Sequence, residues 1–255
     1  MHKIGDVGGR ILKNQVVVPG YYLASIRLSA PLPPAKPGQF IMLKVPAADV
    51  FLRRPFSIYD YRRGILSILY KVAGKGTAAL ASAGPKEEVM VLGPLGNGFT
   101  MLPGHKPIIV AGGIGFAGVR LLWSKTRGKA LLFWGCASNT ESGLVSGLFG
   151  GDSYISTLDG SIGCKGNVVE LLAQHLPRTE KPFQVFACGP QAMFVALREL
   201  LLARERVPCQ VLLEERMACG LGICFGCVTK TLDEGEPYKR ICKEGPVFDL
   251  WRISL

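Results

Sequence analysis

The chain has 255 residues, of which 48% are hydrophobic and 19% charged, a balance typical of well-packed globular domains and large enough for two or three of them. Its formal net charge is +11, but the lysines and arginines are scattered without a dense basic stripe, which argues against nucleic-acid binding. No apolar run approaches the ~18 residues that span a bilayer, and the first residues lack a signal-peptide core, so we expect a cytoplasmic protein without membrane insertion.

The first third of the chain contains short apolar segments separated by proline and glycine, and this spacing predicts an antiparallel barrel. A short helix is expected to follow at Gly76–Ser82. The predicted strands are Ile11–Val18, Tyr21–Leu28, Gln39–Val45, Phe56–Tyr59, Ile65–Tyr70 and Glu88–Leu92.

Three short motifs in this region contain residues suited to a flavin. Arg54 can neutralise a phosphate, Ser57 can hydrogen-bond a flavin ring or ribityl chain, and backbone N–H groups near Gly76-Thr77 can receive a pyrophosphate at a helix start. An Arg-Pro turn and a Gly-Thr helix start are each common, so a purely structural barrel is the alternative. The candidate cofactor-binding residues are Arg54, Pro55, Phe56, Ser57, Leu69, Tyr70, Lys71, Gly76 and Thr77.

After residue 103 apolar strands alternate with helical stretches, which predicts a parallel sheet with helices on both faces. The expected strands are Pro107–Ala111, Ala130–Trp134, Ser153–Leu158, Phe183–Cys188 and Cys209–Glu214. The expected helices are Gly115–Arg127, Glu141–Gly147, Gly166–His175 and Pro190–Arg206.

Two motifs lie where strands of this sheet are expected to end. Gly112, Gly113 and Gly115 form a turn between a strand and a helix, where a phosphate can reach unpaired N–H groups. Cys188-Gly189-Pro190 follows a later strand, and ligands of open α/β sheets bind at this carboxyl edge. Plain packing is the alternative for the Cys188 thiol.

Four cysteines near the end of the chain, Cys219, Cys224, Cys227 and Cys242, are spaced C-x4-C-x2-C and then C after fourteen residues. This is the ligand pattern of a plant-type [2Fe–2S] cluster. Structural zinc is an alternative, but zinc ribbons usually have two C-x2-C knuckles, and a disulfide framework would imply export. The remaining isolated cysteines, Cys136, Cys164 and Cys209, are most simply packing residues.

The motifs, taken in this order, resemble the ferredoxin–NADP reductase superfamily. The stretches Glu214–Gly220 and Ile241–Phe248, with the Asp159–Gly166 segment, are similar to one family within it: the electron-transfer subunits of bacterial NAD-dependent dihydroorotate dehydrogenases. The chain departs from the superfamily at Gly118, where many members have proline.

The resemblance implies an FAD-binding barrel (residues 1–102), an NAD-binding α/β domain (103–213) and a ferredoxin-like [2Fe–2S] domain (214–255). It also implies that Cys188-Gly189-Pro190 lies beside the nicotinamide. The expected partner is an FMN-containing catalytic subunit, in a heterotetramer of two copies of each, and the expected role is electron transfer in pyrimidine biosynthesis. A related NAD(P)H:ferredoxin or sulfide-type reductase subunit and a non-catalytic redox sensor are the alternatives. The absence of arginine from residues 135–139 favours NADH over NADPH.

Overall fold

The computed structural model describes residues 4–47, 49–126, 128–145, 152–176 and 182–255. Its first part is a seven-stranded antiparallel sheet in the order β4-β3-β7-β1-β2-β6-β5. The strands are β1 (Gly5–Val18), β2 (Tyr21–Leu28), β3 (Phe40–Lys44), β4 (Arg54–Ser57), β5 (Asp60–Arg62), β6 (Ile65–Lys71) and β7 (Glu88–Leu95), with helix α1 (Lys75–Ser82) before β7.

The segment that connects β4 to β5 joins the two ends of this sheet. The N–H of Ile58 donates to the carbonyl of Gln39 beside β3, and the N–H of Tyr59 donates to the carbonyl of Ser67 in β6 (both 3.1 Å). This confirms the predicted antiparallel barrel. The structure adds β5, and it extends β1 back to Gly5 from the predicted start at Ile11.

Strand β3 separates two hydrophobic cores because its side chains alternate between the faces of the sheet. Ile41 and Leu43 are fully buried inside the barrel. Phe40 and Met42 point outward and belong to a second core, which continues into the last part of the chain.

The second sheet also has seven strands, in the order β11-β10-β9-β8-β12-β13-β16. Its pairings are parallel except that of β13 with β16. Helix α2 packs on one face, and α3 and α4 pack on the other. The predicted parallel sheet with helices on both faces is confirmed. Its elements are β8 (Lys106–Gly112), α2 (Phe116–Thr126), β9 (Leu131–Cys136), β10 (Ser153–Thr157), β11 (Cys164–Lys165), α3 (Val168–His175), β12 (Phe183–Cys188), α4 (Gln191–Leu202) and β13 (Cys209–Leu212).

Several predicted element ends need correction. The helix expected over Pro190–Arg206 ends at Leu202, and Glu205 and Arg206 adopt positive φ values of 60° and 56° that a helix cannot contain. The helix expected over Glu141–Gly147 is a 3-10 turn over Asn139–Val145, and residues 146–147 lie outside the described residues. Residue 127, the expected end of the preceding helix, also lies outside them.

The last part of the chain is a cysteine-containing loop followed by β14 (Val228–Lys230), β15 (Tyr238–Arg240) and β16 (Val247–Asp249). Strand β16 pairs with β13, so this segment returns to the parallel sheet. Arg198 of α4 donates to the carbonyls of Leu250 (2.6 Å) and Ile253 (2.5 Å) and ties down the end of the segment. The expected domain boundaries after residues 102 and 213 stay predictions. None of the helices in the described residues is long and apolar enough to cross a membrane.

Candidate functional site

A cleft of about 800 Å³ lies between the barrel and the segment that follows β13. It brings together six of the predicted flavin residues, in the stretches Arg54–Ser57 and Gly76-Thr77. The segment Leu212–Met217 also lines the cleft. The sequence did not predict this part of the lining, because only the three-dimensional packing places the segment against the barrel.

Arg54 lies against the first turn of α1. A β-carbon on Gly76 would stand 2.5 Å from Nε and 3.0 Å from Cζ of Arg54, so only glycine leaves room for the guanidinium. The Thr77 hydroxyl accepts hydrogen bonds from the N–H groups of Ala73 (2.9 Å) and Gly74 (3.1 Å) and caps the helix. A guanidinium beside the N–H groups of a helix start is suited to a phosphate, so the residues present fit the diphosphate of a flavin cofactor.

Phe56 belongs both to the lining of the cleft and to the core of the barrel, whereas Leu69, Tyr70 and Lys71 do not line the cleft. The Phe56 ring points into the barrel, where it meets the Tyr70 ring edge-on at 5.6 Å. The Tyr70 hydroxyl donates to Asn14 Oδ1 (3.0 Å), and burial raises the pKa of Tyr70 to about 12. Leu69 is buried in the core under α2. The structure therefore does not bring Leu69, Tyr70 or Lys71 to the cleft, and their contact with a flavin stays a prediction.

A second cavity, of about 510 Å³, lies at the carboxyl edge of the parallel strands. Gly112, Gly113 and Pro190 line it together with Lys71, which extends from the barrel strand β6. A β-carbon on Gly112 would come within 2.8 Å of Pro190 Cδ, and one on Gly115 would collide with the Cys188 carbonyl. The glycines thus allow the strand-to-helix turn and the Cys-Gly-Pro turn to lie side by side.

Lys71 is the only lysine or arginine that lines this cavity among the described residues. Its ammonium nitrogen lies 5.1 Å from the centroid of the Tyr21 ring. The Tyr21 hydroxyl donates to Glu141, which lies across the cavity on the turn after β9. Burial and this carboxylate raise the pKa of Tyr21. The barrel therefore contributes a positive charge to a cavity built mainly by the parallel sheet.

A third cavity, of about 430 Å³, adjoins both of the others. It shares Gly112 and Pro190 with the cavity at the strand ends, and it shares Leu213, Glu214 and Glu215 with the cleft. Glu214 is exposed on the surface, yet the protein atoms packed around its carboxyl group raise its pKa by desolvation. The three cavities form a continuous series from the ends of the parallel strands to the barrel wall.

Cys188 is not among the described residues that line these three cavities. It is fully buried on the α2 side of the sheet, and burial raises the pKa of its thiol well above the ordinary value. A β-carbon on Gly118 would stand 2.9 Å from Cys188 Sγ and 3.0 Å from Leu212 Cδ1. Gly118 therefore leaves room for the side chains of Cys188 and Leu212. The proposed contact between Cys188 and a nicotinamide stays a prediction.

Backbone N–H groups are directed at the sulfurs of two of the four predicted cluster ligands. The N–H of Leu221 donates to Cys219 Sγ, and the N–H of Cys242 donates to Cys227 Sγ (both 3.4 Å). Cys227 and Cys242 are buried, Cys219 is half-buried and Cys224 is exposed. No group of three or more His, Cys, Asp or Glu side chains among the described residues converges on the position of a single ion.

The backbone of the loop favours thiolate formation at its first cysteine. Burial raises the pKa of Cys219, but hydrogen bonds from the backbone around Cys224, Leu221 and Ile223 outweigh it and lower the pKa to about 6. Burial and the neighbouring Cys227 raise the pKa of Cys242 to about 12. Four sulfur donors, two of which accept hydrogen bonds from backbone N–H groups, fit an iron–sulfur cluster, whose sulfurs accept such hydrogen bonds.

Two glycines allow this loop to lie close to its surroundings. Gly220 and Gly222 have φ values of +68° and +77°, and a β-carbon would come within 2.5 Å of Met42 Cγ at the first and 2.6 Å of Lys243 Cδ at the second. The tip of the loop is apolar and open, with Ile223 74% and Phe225 62% exposed.

Comparison with known proteins places these features in one family. Residues 214–254 match the family model for the iron–sulfur cluster binding domain of dihydroorotate dehydrogenase B. The chain is 36% identical over 241 residues to "Dihydroorotate dehydrogenase B (NAD(+)), electron transfer subunit" of Caldanaerobacter subterraneus subsp. tengcongensis, with 94% of each chain covered. It is 37% identical over 264 residues to the protein of the same name from Desulforamulus reducens, with 99% of each covered.

Solved structures share the fold at lower identity. The NADH-dependent reduced ferredoxin-NADP oxidoreductase, studied for flavin-based electron bifurcation, superposes with a TM-score of 0.79 at 23% identity and covers 96% of this chain and 89% of its own. Phthalate dioxygenase reductase, described as a modular structure for electron transfer from pyridine nucleotides to [2Fe–2S], has a TM-score of 0.64 at 19% identity, with 90% of this chain and 87% of its own covered.

Proposed function

This chain belongs to the family of electron-transfer subunits of NAD+-dependent dihydroorotate dehydrogenase B, and from that premise we propose that it carries electrons between NAD(H) and an FMN in a separate catalytic subunit. FAD and one [2Fe–2S] cluster are the carriers. The observation that supports this most is the series of three cavities, each sharing residues with the next, which runs from the parallel strands to the barrel beside the cysteine loop.

FAD is assigned to the cleft between the barrel and the segment after β13. Arg54 and the first turn of α1 would hold its diphosphate, and Ser57 would hydrogen-bond the ring or ribityl chain. Bound FAD supplies the conversion between a two-electron hydride and single electrons. Leu213, Glu214 and Glu215 would separate its ring from bulk water on the side that adjoins the glycine turn.

NAD(H) is assigned to the cavity at the strand ends, with its phosphates at the Gly112–Gly115 turn and beside Lys71. Two carboxylates support the preference for NADH. Glu141 Oε2 accepts a 3.5 Å hydrogen bond from the N–H of Ala137. At Cys136, the last residue of β9, burial and the negative charges of Glu141 and Asp159 raise the pKa of the thiol to about 11. Negative charge at the end of β9 would repel the additional 2′-phosphate of NADPH.

The cluster is assigned to Cys219, Cys224, Cys227 and Cys242, and the partner subunit to the face around the exposed side chains of Ile223 and Phe225. Exposed apolar side chains beside a redox centre suit docking of another protein. By family analogy the complex is a heterotetramer of two subunits of each kind. None of the eight cysteines forms a disulfide, which supports a cytoplasmic location.

The net reaction oxidises dihydroorotate and reduces NAD+, giving orotate, NADH and a proton, a step of pyrimidine biosynthesis. The cluster held by Cys219, Cys224, Cys227 and Cys242 would supply one-electron transfer to and from the partner's flavin. FAD held by Arg54 and the first turn of α1 would supply the two-electron exchange of a hydride with the nicotinamide.

The test is to reconstitute this subunit with FAD, its cluster and the catalytic subunit, and to measure NADH formed from dihydroorotate and NAD+. We expect turnover that requires both subunits. A complex that does not couple dihydroorotate to NAD+ would contradict the proposal. Rapid NAD(P)H-driven reduction of ferredoxin or a sulfur compound by the same preparation would favour the reductase alternative, and failure of NADH to reduce bound FAD would favour the redox sensor.

A further inference from the structure

We propose that Met42 is a positioning residue for electron transfer: its buried side chain fixes the cluster loop against the flavin-binding barrel and thereby sets the rate of electron transfer between FAD and the cluster. This inference rests on the function proposed above, because it takes the barrel cleft as the FAD site and the four cysteines as cluster ligands. It concerns a residue that is not among the described residues lining the three cavities.

Met42 lies on β3, a strand that contacts both the FAD cleft and the cysteine loop. Phe40 and Met42 stand two positions apart on the outward face of β3. Phe40 lines the FAD cleft, and Met42 pairs in register with Pro55, which also lines it. Strand β3 is paired with β4 on one side and with β7 on the other. Its outward side chains therefore have a fixed position relative to the cleft.

The Met42 side chain packs against the loop that carries the cluster cysteines. Its Cγ lies 2.5 Å, and its Sδ 3.0 Å, from the point where a β-carbon on Gly220 would stand. Gly220 is buried and directly follows the ligand Cys219. The missing side chain of Gly220 therefore leaves the space that the Met42 side chain fills, and the loop backbone rests on the barrel at that point.

The same contact belongs to a continuous hydrophobic core. Met42 is fully buried, and its core contains Cys227 and Cys242. Met217, which lines the FAD cleft, packs against this core. Such a core keeps its separations fixed because protein interiors are close-packed and transmit displacements. Loss of the Met42 side chain would leave a void directly between the barrel strand and the loop.

The test uses the reconstituted complex with FAD and cluster in place, and compares wild type with Met42→Ala and Met42→Leu. After rapid anaerobic mixing with NADH, flavin reduction and cluster reduction are followed as separate optical phases. We expect Met42→Ala to reduce FAD at the wild-type rate but to reduce the cluster several-fold more slowly, because the void leaves the loop no longer held against the barrel. Met42→Leu, which nearly conserves volume, should stay close to wild type.

A second readout does not depend on activity. The EPR spectrum of the chemically reduced cluster should broaden in Met42→Ala, and bound iron should be lost faster on incubation with a chelator. If Met42→Ala cannot be purified with its cluster, Met42→Val removes less volume and should show a smaller change in the same direction.

Leu43→Ala is the matched control, because it truncates a fully buried side chain on the same strand that faces the barrel interior. It should lower stability without slowing cluster reduction or broadening the EPR spectrum. Cluster reduction at the wild-type rate with an unchanged spectrum in Met42→Ala, or equal effects in Leu43→Ala, would overturn the inference. Wild-type protein whose cluster NADH does not reduce would instead contradict the proposed function.

Discussion

Replacing Gly76 by alanine should weaken FAD binding without destabilising the protein. Gly76 lies in helix α1 with no positive φ, so alanine suits its backbone and should stabilise the helix by about 0.5–1 kcal/mol. The new β-carbon, however, would stand 2.5 Å from Arg54 Nε and 3.0 Å from Cζ. The flexible guanidinium must therefore leave the wall of the cleft.

The size of the effect follows from the contact that is lost. A hydrogen bond to a charged group contributes about 1.5–3 kcal/mol, which corresponds to a roughly 10- to 150-fold increase in the Kd for FAD. The assay is titration of the apoprotein with FAD, followed by quenching of flavin fluorescence, with urea unfolding of the same apoprotein as the stability measurement.

Gly84→Ala is the matched control, because Gly84 follows the same helix, lies outside the cleft, and its added β-carbon would meet only Glu87 Oε1 at 3.8 Å. It should bind FAD almost as tightly as wild type. If Gly76→Ala binds FAD with wild-type affinity, or if both variants lose the same affinity, then Arg54 does not hold FAD in the way proposed.

Three further predictions address the other sites. Lys71→Met should raise the KM for NADH about tenfold with FAD content unchanged, because it removes the one cation that lines the nucleotide cavity in the described residues; Lys36→Met, outside that cavity, should leave the KM unchanged in the same steady-state assay. Cys227→Ser should abolish the cluster signal in EPR while NADH still reduces the flavin, because the buried ligand lies apart from both cavities. Desolvation raises the pKa of Glu214, so the folded state holds its proton more tightly and stability should fall as pH rises from the ordinary carboxyl pKa to the raised one. Urea midpoints of the Glu214→Gln apoprotein over that pH range should show a weaker dependence than wild type, and equal slopes would contradict the assignment.

The sequence predicted the two sheets because each has a long-range pattern of its own. Short strands at regular spacing indicate a barrel, and alternation of strands with helices indicates a parallel sheet. The cysteine spacing is likewise a local property of the chain. Strand β16, in contrast, has three residues and no periodicity, and its pairing with β13 depends on how the last segment folds back.

Site residues were predictable only where a motif lies on one continuous stretch. Arg54 and Gly76 could be predicted because each lies in a recognisable short motif, and the structure brings the two residues together. Lys71 was grouped with the flavin residues, but alternation along β6 directs Tyr70 into the barrel and leaves Lys71 at the nucleotide cavity. Glu141 and Met42 have no sequence signal, because their importance depends on contacts with Tyr21 and Gly220, which are far away in the chain.

The electron path is tested most directly by anaerobic titration of the isolated subunit, containing FAD and its cluster, with NADH. Visible absorbance follows the flavin, and EPR of frozen samples follows the cluster. We expect NADH to bleach the flavin and the EPR signal of a reduced [2Fe–2S] cluster to appear, with the signal absent from Cys227→Ser. Bleached flavin in wild-type protein without any cluster signal, when dithionite produces that signal in the same sample, would contradict a path from NADH through FAD to these four cysteines.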